Sequence, residues 1–162
     1  PGRSYTDDDH QALLDRYDTD NFARVMLPEN GAGVRTLLEL AYEDPPYTPN
    51  WALRQAHETL YANNRVEQEG LLNQLLADRE MIRARTNSIQ SPVLVIWGEN
   101  DPVFPLSLGE RLAQSLDARL EVIADARHFP NDEHPDVFNE LLLNFLDGPD
   151  PSRPALRAVS EE

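Results

Sequence analysis

The chain has 162 residues and carries 14 Lys plus Arg against 29 Asp plus Glu, a formal charge of −15. That length supports one compact domain or a domain with an appendage, and that charge argues against nucleic acid or an anionic membrane as partner. Cysteine is absent, so a disulfide framework and a thiolate metal site are excluded.

The elements then follow in chain order. Thr6 is placed to cap a first helix whose opening turn carries Asp7, Asp8 and Asp9 and whose apolar stripe is Leu13, Leu14 and Tyr17. A second helix is predicted over Val34 to Tyr42 and must stop before Pro45-Pro46, because proline lacks the amide donor and restricts the residue ahead of it. Thr48 is read as the cap of a third, with Pro49 at its first position and Trp51, Ala52, Gln55, Thr59 and Leu60 following. Leu71, Leu72, Leu75, Leu76 and Ile82 recur at helical spacing and predict one long fourth helix from about Val66 to Arg85, with Gly70 its weak point.

At Ser91 the pattern changes to strand, helix, strand, helix. Val93-Leu94-Val95-Ile96-Trp97 is continuous, apolar and β-branched, which reads as a parallel strand buried on both faces. Leu108, Leu112 and Leu116 share one face of a helix over Leu106 to Leu116, and Leu120 to Ala124 is a second short strand, completing a crossover unit. Asp101 and His128 therefore each lie just past the C-terminal end of a strand, where open α/β sheets place their ligands. Pro135 opens a last helix bearing Phe138, Leu141, Leu142 and Phe145, which Gly148-Pro149 ends, and a polar tail follows that is expected to be poorly ordered. The longest apolar run, Pro92 to Trp97, is too short to cross a bilayer and no cationic leader opens the chain. A soluble protein is expected, with the cytoplasm the leading choice of compartment.

Two segments carry a resemblance. Val93 to Pro105, containing Trp97-Gly98-Glu99-Asn100-Asp101-Pro102, and Ala126 to Pro135, containing His128-Phe129-Pro130, together resemble the C-terminal third of an α/β-hydrolase fold enzyme. In that family the chain order is nucleophile, acid, histidine. The resemblance implies that Asp101 is the acid after the seventh strand, that His128 is the catalytic histidine after the eighth, and that the helical segment occupies the place of the cap. The implied organisation is a cap over residues 1–88, the C-terminal part of the core over 89–148 and a flexible tail over 149–162. The fold class is α/β: a helical cap followed by the last two strands and helices of a hydrolase sheet, to be completed by another chain. Arg127 departs from the family, which usually places a glycine just before this histidine.

No G-x-S-x-G is present, and no serine of the chain sits in such an elbow. Two parallel strands are marginal alone, and an unpaired apolar edge invites association. The expectation is a C-terminal piece of a split or proteolytically processed hydrolase, forming a heterodimer with an N-terminal chain that holds the nucleophile. Pro1 fits a cleaved origin. An imidazole titrates near neutrality, which suits His128 to take a proton from the nucleophile and return it to the leaving group. Asp101 would fix the tautomer through the other ring nitrogen.

A serine nucleophile would act on a small apolar ester, thioester, lactone or carbon–carbon bonded ketone, and an aspartate would give an epoxide hydrolase or dehalogenase. A different class also stays open, a non-catalytic interaction protein descended from a hydrolase. Phe104, Phe129 and Trp51 are the candidate substrate contacts, with Tyr47, Tyr61 and Phe22 as further cap aromatics, each set against simple packing. Asp101 could merely begin a turn before Pro102, and Arg127 could be a solvated surface residue. His10, His57 and His134 lack a metal-ligand arrangement, no cofactor is implied, and Asp132 and Glu133 read as residues serving the N-terminus of the last helix.

Overall fold

A computed structural model describes residues 4–86 and 89–148, so the expected tail lies outside the described residues. The chain divides into two compact units. One holds 40–43 together with the chain from Ile89, and the other holds the helical segment up to Glu39 and from Asp44 to Ser88. Residues 40–43, read from sequence as part of the cap, thus belong with the strands.

In the helical unit α1 (Asp7–Arg16) starts as its sequence dictates: the Thr6 hydroxyl accepts from the Asp9 amide at 3.2 Å while the Asp9 carboxylate accepts from the Thr6 amide at 2.8 Å. This reciprocal cap satisfies two donors at the helix start. A short helix α2 (Phe22–Met26), capped by Asn21, was not foreseen from the sequence. Five residues carry too little periodicity to register. Helix α3 (Gly31–Ala41) begins three residues earlier than expected, because the Asn30 side chain accepts from the Gly33 amide at 3.0 Å.

Helix α4 (Asn50–His57) begins one residue later than expected. Pro49 is its cap residue, and the Thr48 hydroxyl turns back to donate to the Pro46 carbonyl at 3.0 Å. The helix then widens into a π-helical turn over Glu58–Ala62. The expected single long helix is two, α5 (Arg65–Ala77) and α6 (Arg79–Thr86), broken at Asp78. Arg79 explains part of the break: its guanidinium bonds the Leu76 carbonyl at 2.9 Å and pairs with Asp7 at 2.6 Å, tying the start of α6 to α1. Leu53, Leu13, Leu14, Val25 and Val34 form the buried interior of this unit.

The second unit is built on β1 (Leu94–Gly98) and β2 (Arg119–Ile123), which pair in parallel with Val95 opposite Leu120 and Gly98 opposite Ile123. The crossover is α7 (Leu106–Leu116), whose buried face is Leu108, Gly109 and Ala113. Asp117 takes the left-handed conformation that ends it, with Ala118 donating back to the Ala113 carbonyl. Helix α8 (Pro130–Glu133) follows β2, and α9 (Pro135–Leu146) starts with its proline at the first helical position. Ile123, Ala126 and Leu141 form the core, with Ile96 and Phe138 packed on it. The strand β1 is not buried on both faces as its composition implied: Leu94, Ile96 and Trp97 remain partly exposed in a sheet of two strands. Among the described residues no helix is long and apolar enough to cross a membrane.

Candidate active site

The strand β1 ends at Gly98, a position where nothing larger fits. A Cβ there would lie 1.9 Å from the Arg127 carbonyl oxygen and 2.6 Å from that of Ala126. Backbone therefore meets backbone, and the loop after β1 is stitched to the loop after β2: Glu99 donates to the Ile123 carbonyl and Asn100 to the Ala126 carbonyl, both at 2.9 Å. Asp125 takes a left-handed turn at φ 53° to bring the second loop around, a conformation that aspartate tolerates better than most side chains.

These two loops bring Asp101 and His128 together. Asp101 Oδ2 lies 2.8 Å from His128 Nδ1, and Oδ1 accepts from the amides of Val103 at 2.8 Å and Phe104 at 2.9 Å. The Asp101 side chain is 5 % exposed, so its oxygens exchange water for three protein donors. An acceptor fixed on Nδ1 selects the tautomer that carries its proton there and leaves Nε2 as the basic nitrogen. His128 is partly exposed, and its Nε2 makes no hydrogen bond among the described residues. Phe104 and Phe129 flank the imidazole, each with its ring centroid 5.4 Å away. The Trp97 indole donates to the Phe104 carbonyl at 2.9 Å and so fixes that loop from the strand.

Four of the five candidate residues thus converge. Trp51, the fifth, belongs to the helical unit, where it stands on α4 and is 63 % exposed. Of the other aromatics named from sequence, Tyr47 is almost fully exposed, Phe22 packs on His10 and Tyr61 stacks on His57. Among the described residues no three His, Cys, Asp or Glu side chains are grouped as a metal site.

Sequence reasoning missed the segment 41–43 and misread two acids. The Ala41 carbonyl, at the end of α3, accepts from the His128 amide at 3.0 Å and the Phe129 amide at 3.2 Å. Tyr42 donates its hydroxyl to Asp132 at 2.6 Å and meets the Phe129 ring edge-on. Glu43 pairs with Arg127 at 2.8 Å and receives a longer bond from Asn100. Arg127 is accordingly an ion-paired residue rather than a solvated one. Glu133 does not serve the last helix: its two oxygens accept from the amides of Glu43 and Arg127, at 2.5 Å and 2.7 Å. Partners that are 84 or 90 residues apart leave no local spacing in the sequence.

The Tyr42 hydroxyl is pushed up to about 12, first by its bond to the Asp132 carboxylate and then by loss of water around it. Glu43 is held below the ordinary glutamate value, chiefly by the bond from Arg127.

Comparison with known proteins gives three kinds of likeness. The profile of a family described as alpha/beta hydrolase fold matches residues 5–135. The 2-hydroxy-6-oxononadienedioate/2-hydroxy-6-oxononatrienedioate hydrolase of Klebsiella pneumoniae is 40 % identical over 63 residues, which are 38 % of this chain and 22 % of that protein. The proteins of the same name from Paraburkholderia phymatum and Escherichia coli are 43 % identical over 63 residues (38 % and 22 %) and 38 % identical over 66 residues (40 % and 23 %). The match therefore spans less than a quarter of the length of these relatives. A crystal structure of a membrane phospholipase A described as a novel bacterial virulence factor aligns with a TM-score of 0.60 at 20 % identity, over 86 % of this chain and 44 % of that one, a likeness of fold alone.

Proposed function

Because the chain belongs to the alpha/beta hydrolase fold family, we propose that it supplies the acid and the histidine of a hydrolase, with Asp101 orienting His128 and His128 moving the proton. The supporting observation is the 2.8 Å contact between Asp101 Oδ2 and His128 Nδ1, made by a carboxylate whose other oxygen is occupied by two backbone amides. Such a carboxylate cannot swing away, so the imidazole presents Nε2 in one orientation. In the reaction a nucleophile adds to a carbonyl carbon and its proton passes to Nε2. The bond from that carbon to the leaving fragment breaks, and the fragment takes the proton; water then releases the acyl group by the same route. Phe104 and Phe129 would contact the substrate beside the imidazole, and Trp51 is the contact proposed for the helical unit.

The 162 residues hold no G-x-S-x-G, so the nucleophile is proposed to lie outside them, ahead of them in the family order. In the split form of this proposal it is carried by an N-terminal chain whose strand completes the sheet. Among the substrates open from sequence, the names of the relatives favour the carbon–carbon bonded ketone over the apolar ester. A substrate named as theirs carries a ketone and two carboxylates but no ester, so its hydrolysis must break a carbon–carbon bond. Intact mass of the purified protein and labelling with a fluorophosphonate test this. A label on residues that precede this segment, in a second chain or a longer one, is the expected result. An active protein that never takes the label would place the nucleophile in another residue class.

A further inference from the structure

The backbone around His128 is held from outside its own strand. Three consecutive amides, those of Arg127, His128 and Phe129, all donate to acceptors beyond the loop: Arg127 to Glu133 Oε2 at 2.7 Å, His128 and Phe129 to the Ala41 carbonyl at 3.0 and 3.2 Å. The two acceptors are themselves joined, because Glu133 Oε1 accepts from the amide of Glu43, two residues after Ala41. One carboxylate therefore closes a ring of backbone: the residue before the histidine, Glu133, the 41–43 segment and the histidine itself. Glu43 reinforces it from the side chain, since its carboxylate receives Arg127 and, more weakly, Asn100, the residues next to His128 and Asp101.

From this we infer that Glu133 is a positioning residue, which sets the distance between His128 and Asp101 by fastening the Arg127 amide to the 41–43 segment. The inference rests on the reading of Asp101 and His128 as a working pair. Its physical basis is the asymmetry between making and losing such bonds. Two amides bonded to one ionised carboxylate are shorter and stronger than neutral pairs, and removing the acceptor leaves both donors to find water. An imidazole displaced by a few tenths of an ångström still sits in a folded protein but no longer shares a proton tightly with Asp101. Glutamine at this position retains one acceptor oxygen, because its amide nitrogen cannot accept from a backbone N–H. Glu133→Gln is thus a graded perturbation, and Glu133→Ala a complete one.

The test is long-range proton–nitrogen NMR of the His128 ring in the full protein, with any accompanying chain left in place, comparing wild type, Asp101→Asn, Glu133→Gln and Glu133→Ala. The Nδ1 proton reports the pair directly, and a purely structural role for Glu133 would leave it alone. The expected result is that Asp101→Asn loses the Nδ1–H tautomer. Glu133→Gln should keep the tautomer but release its proton to solvent on the order of tenfold faster, the change that loss of one charge-assisted bond supplies. If Glu133→Ala fails to fold, Glu133→Gln decides alone. A protected Nδ1 proton in Glu133→Gln, alongside its loss in Asp101→Asn, overturns the positioning role and leaves the pair intact. An Asp101→Asn ring identical to wild type overturns the pair itself.

Discussion

Asp101 begins a turn and holds an imidazole at once. Its Oδ1 closes the turn over Pro102 onto the Val103 and Phe104 amides, and its Oδ2 faces His128. The turn is the means by which the carboxylate is aimed. Both residues were legible in the sequence because each lies a few residues past an apolar strand, and because the segments around them resemble those of a hydrolase family. Tyr42, Glu43, Arg127 and Glu133 were not, since their significance arises only when residue 43 meets residues 100, 127 and 133 in space. Tyr42 yields a prediction that is specific to this network. Its folded value is raised from 10.0 to about 12, and that of Tyr5 rises equally, led by burial. Both groups favour the protonated fold, so their stabilisation is complete below 10.0 and disappears as the pH rises through about 12. Near-ultraviolet titration of tyrosinate should show late steps in the native protein, one of which Tyr42→Phe removes; loss of an ordinary step near 10.0 instead would refute the Asp132 bond. Glu43 acts at the other end of the scale: its pairing with Arg127 is complete above the ordinary glutamate value and is lost as the pH falls through its lowered folded value.

The elements that carry these residues make different demands on their glycines. At Gly98 an added methyl would collide with the backbone of 126–127, and neither side can yield without moving the loop that bears His128. Gly98→Ala should cost about 3 kcal/mol or more, at the upper end of overpacking penalties, and should disturb the His128 ring as well. At Gly109 the added methyl would press on the Trp97 ring at 2.7 Å, and a cost of about 1–3 kcal/mol is expected. Gly70 in α5 has nothing within 4 Å, so Gly70→Ala should stabilise by about 0.5–1 kcal/mol through helix propensity. Urea midpoints of the three variants check the order, and a stabilised Gly98→Ala would contradict the close approach of the two loops. At this level the sequence yielded the strands to within a residue and three of the helices nearly so. It missed α2 and α8, which are too short to show a period, and the break at Asp78, which depends on Arg79 reaching a carbonyl and Asp7 rather than on any local breaker.

For the molecule as a whole, the division into a helical and a strand-bearing unit follows the change of sequence pattern near residue 88, except that residues 40–43 belong with the strands. That exception joins the end of α3 to the backbone that holds the histidine, and it is invisible to any reading that cuts the chain once. The family likeness covers both units, while the curated relatives share only about 40 % of the chain; the fold is therefore established over more of the molecule than the substrate reading, which rests on the shorter match. The decisive measurement is a steady-state assay of the purified protein, with any accompanying chain, on the proposed substrate 2-hydroxy-6-oxononadienedioate, the compound in the relatives' names, comparing wild type with His128→Gln. If Asp101 and His128 work as proposed, the variant should lose on the order of 10³-fold in kcat/KM while remaining folded. Equal, measurable rates in the two proteins would contradict the proposed role of the pair, whereas no turnover by wild type would contradict the substrate.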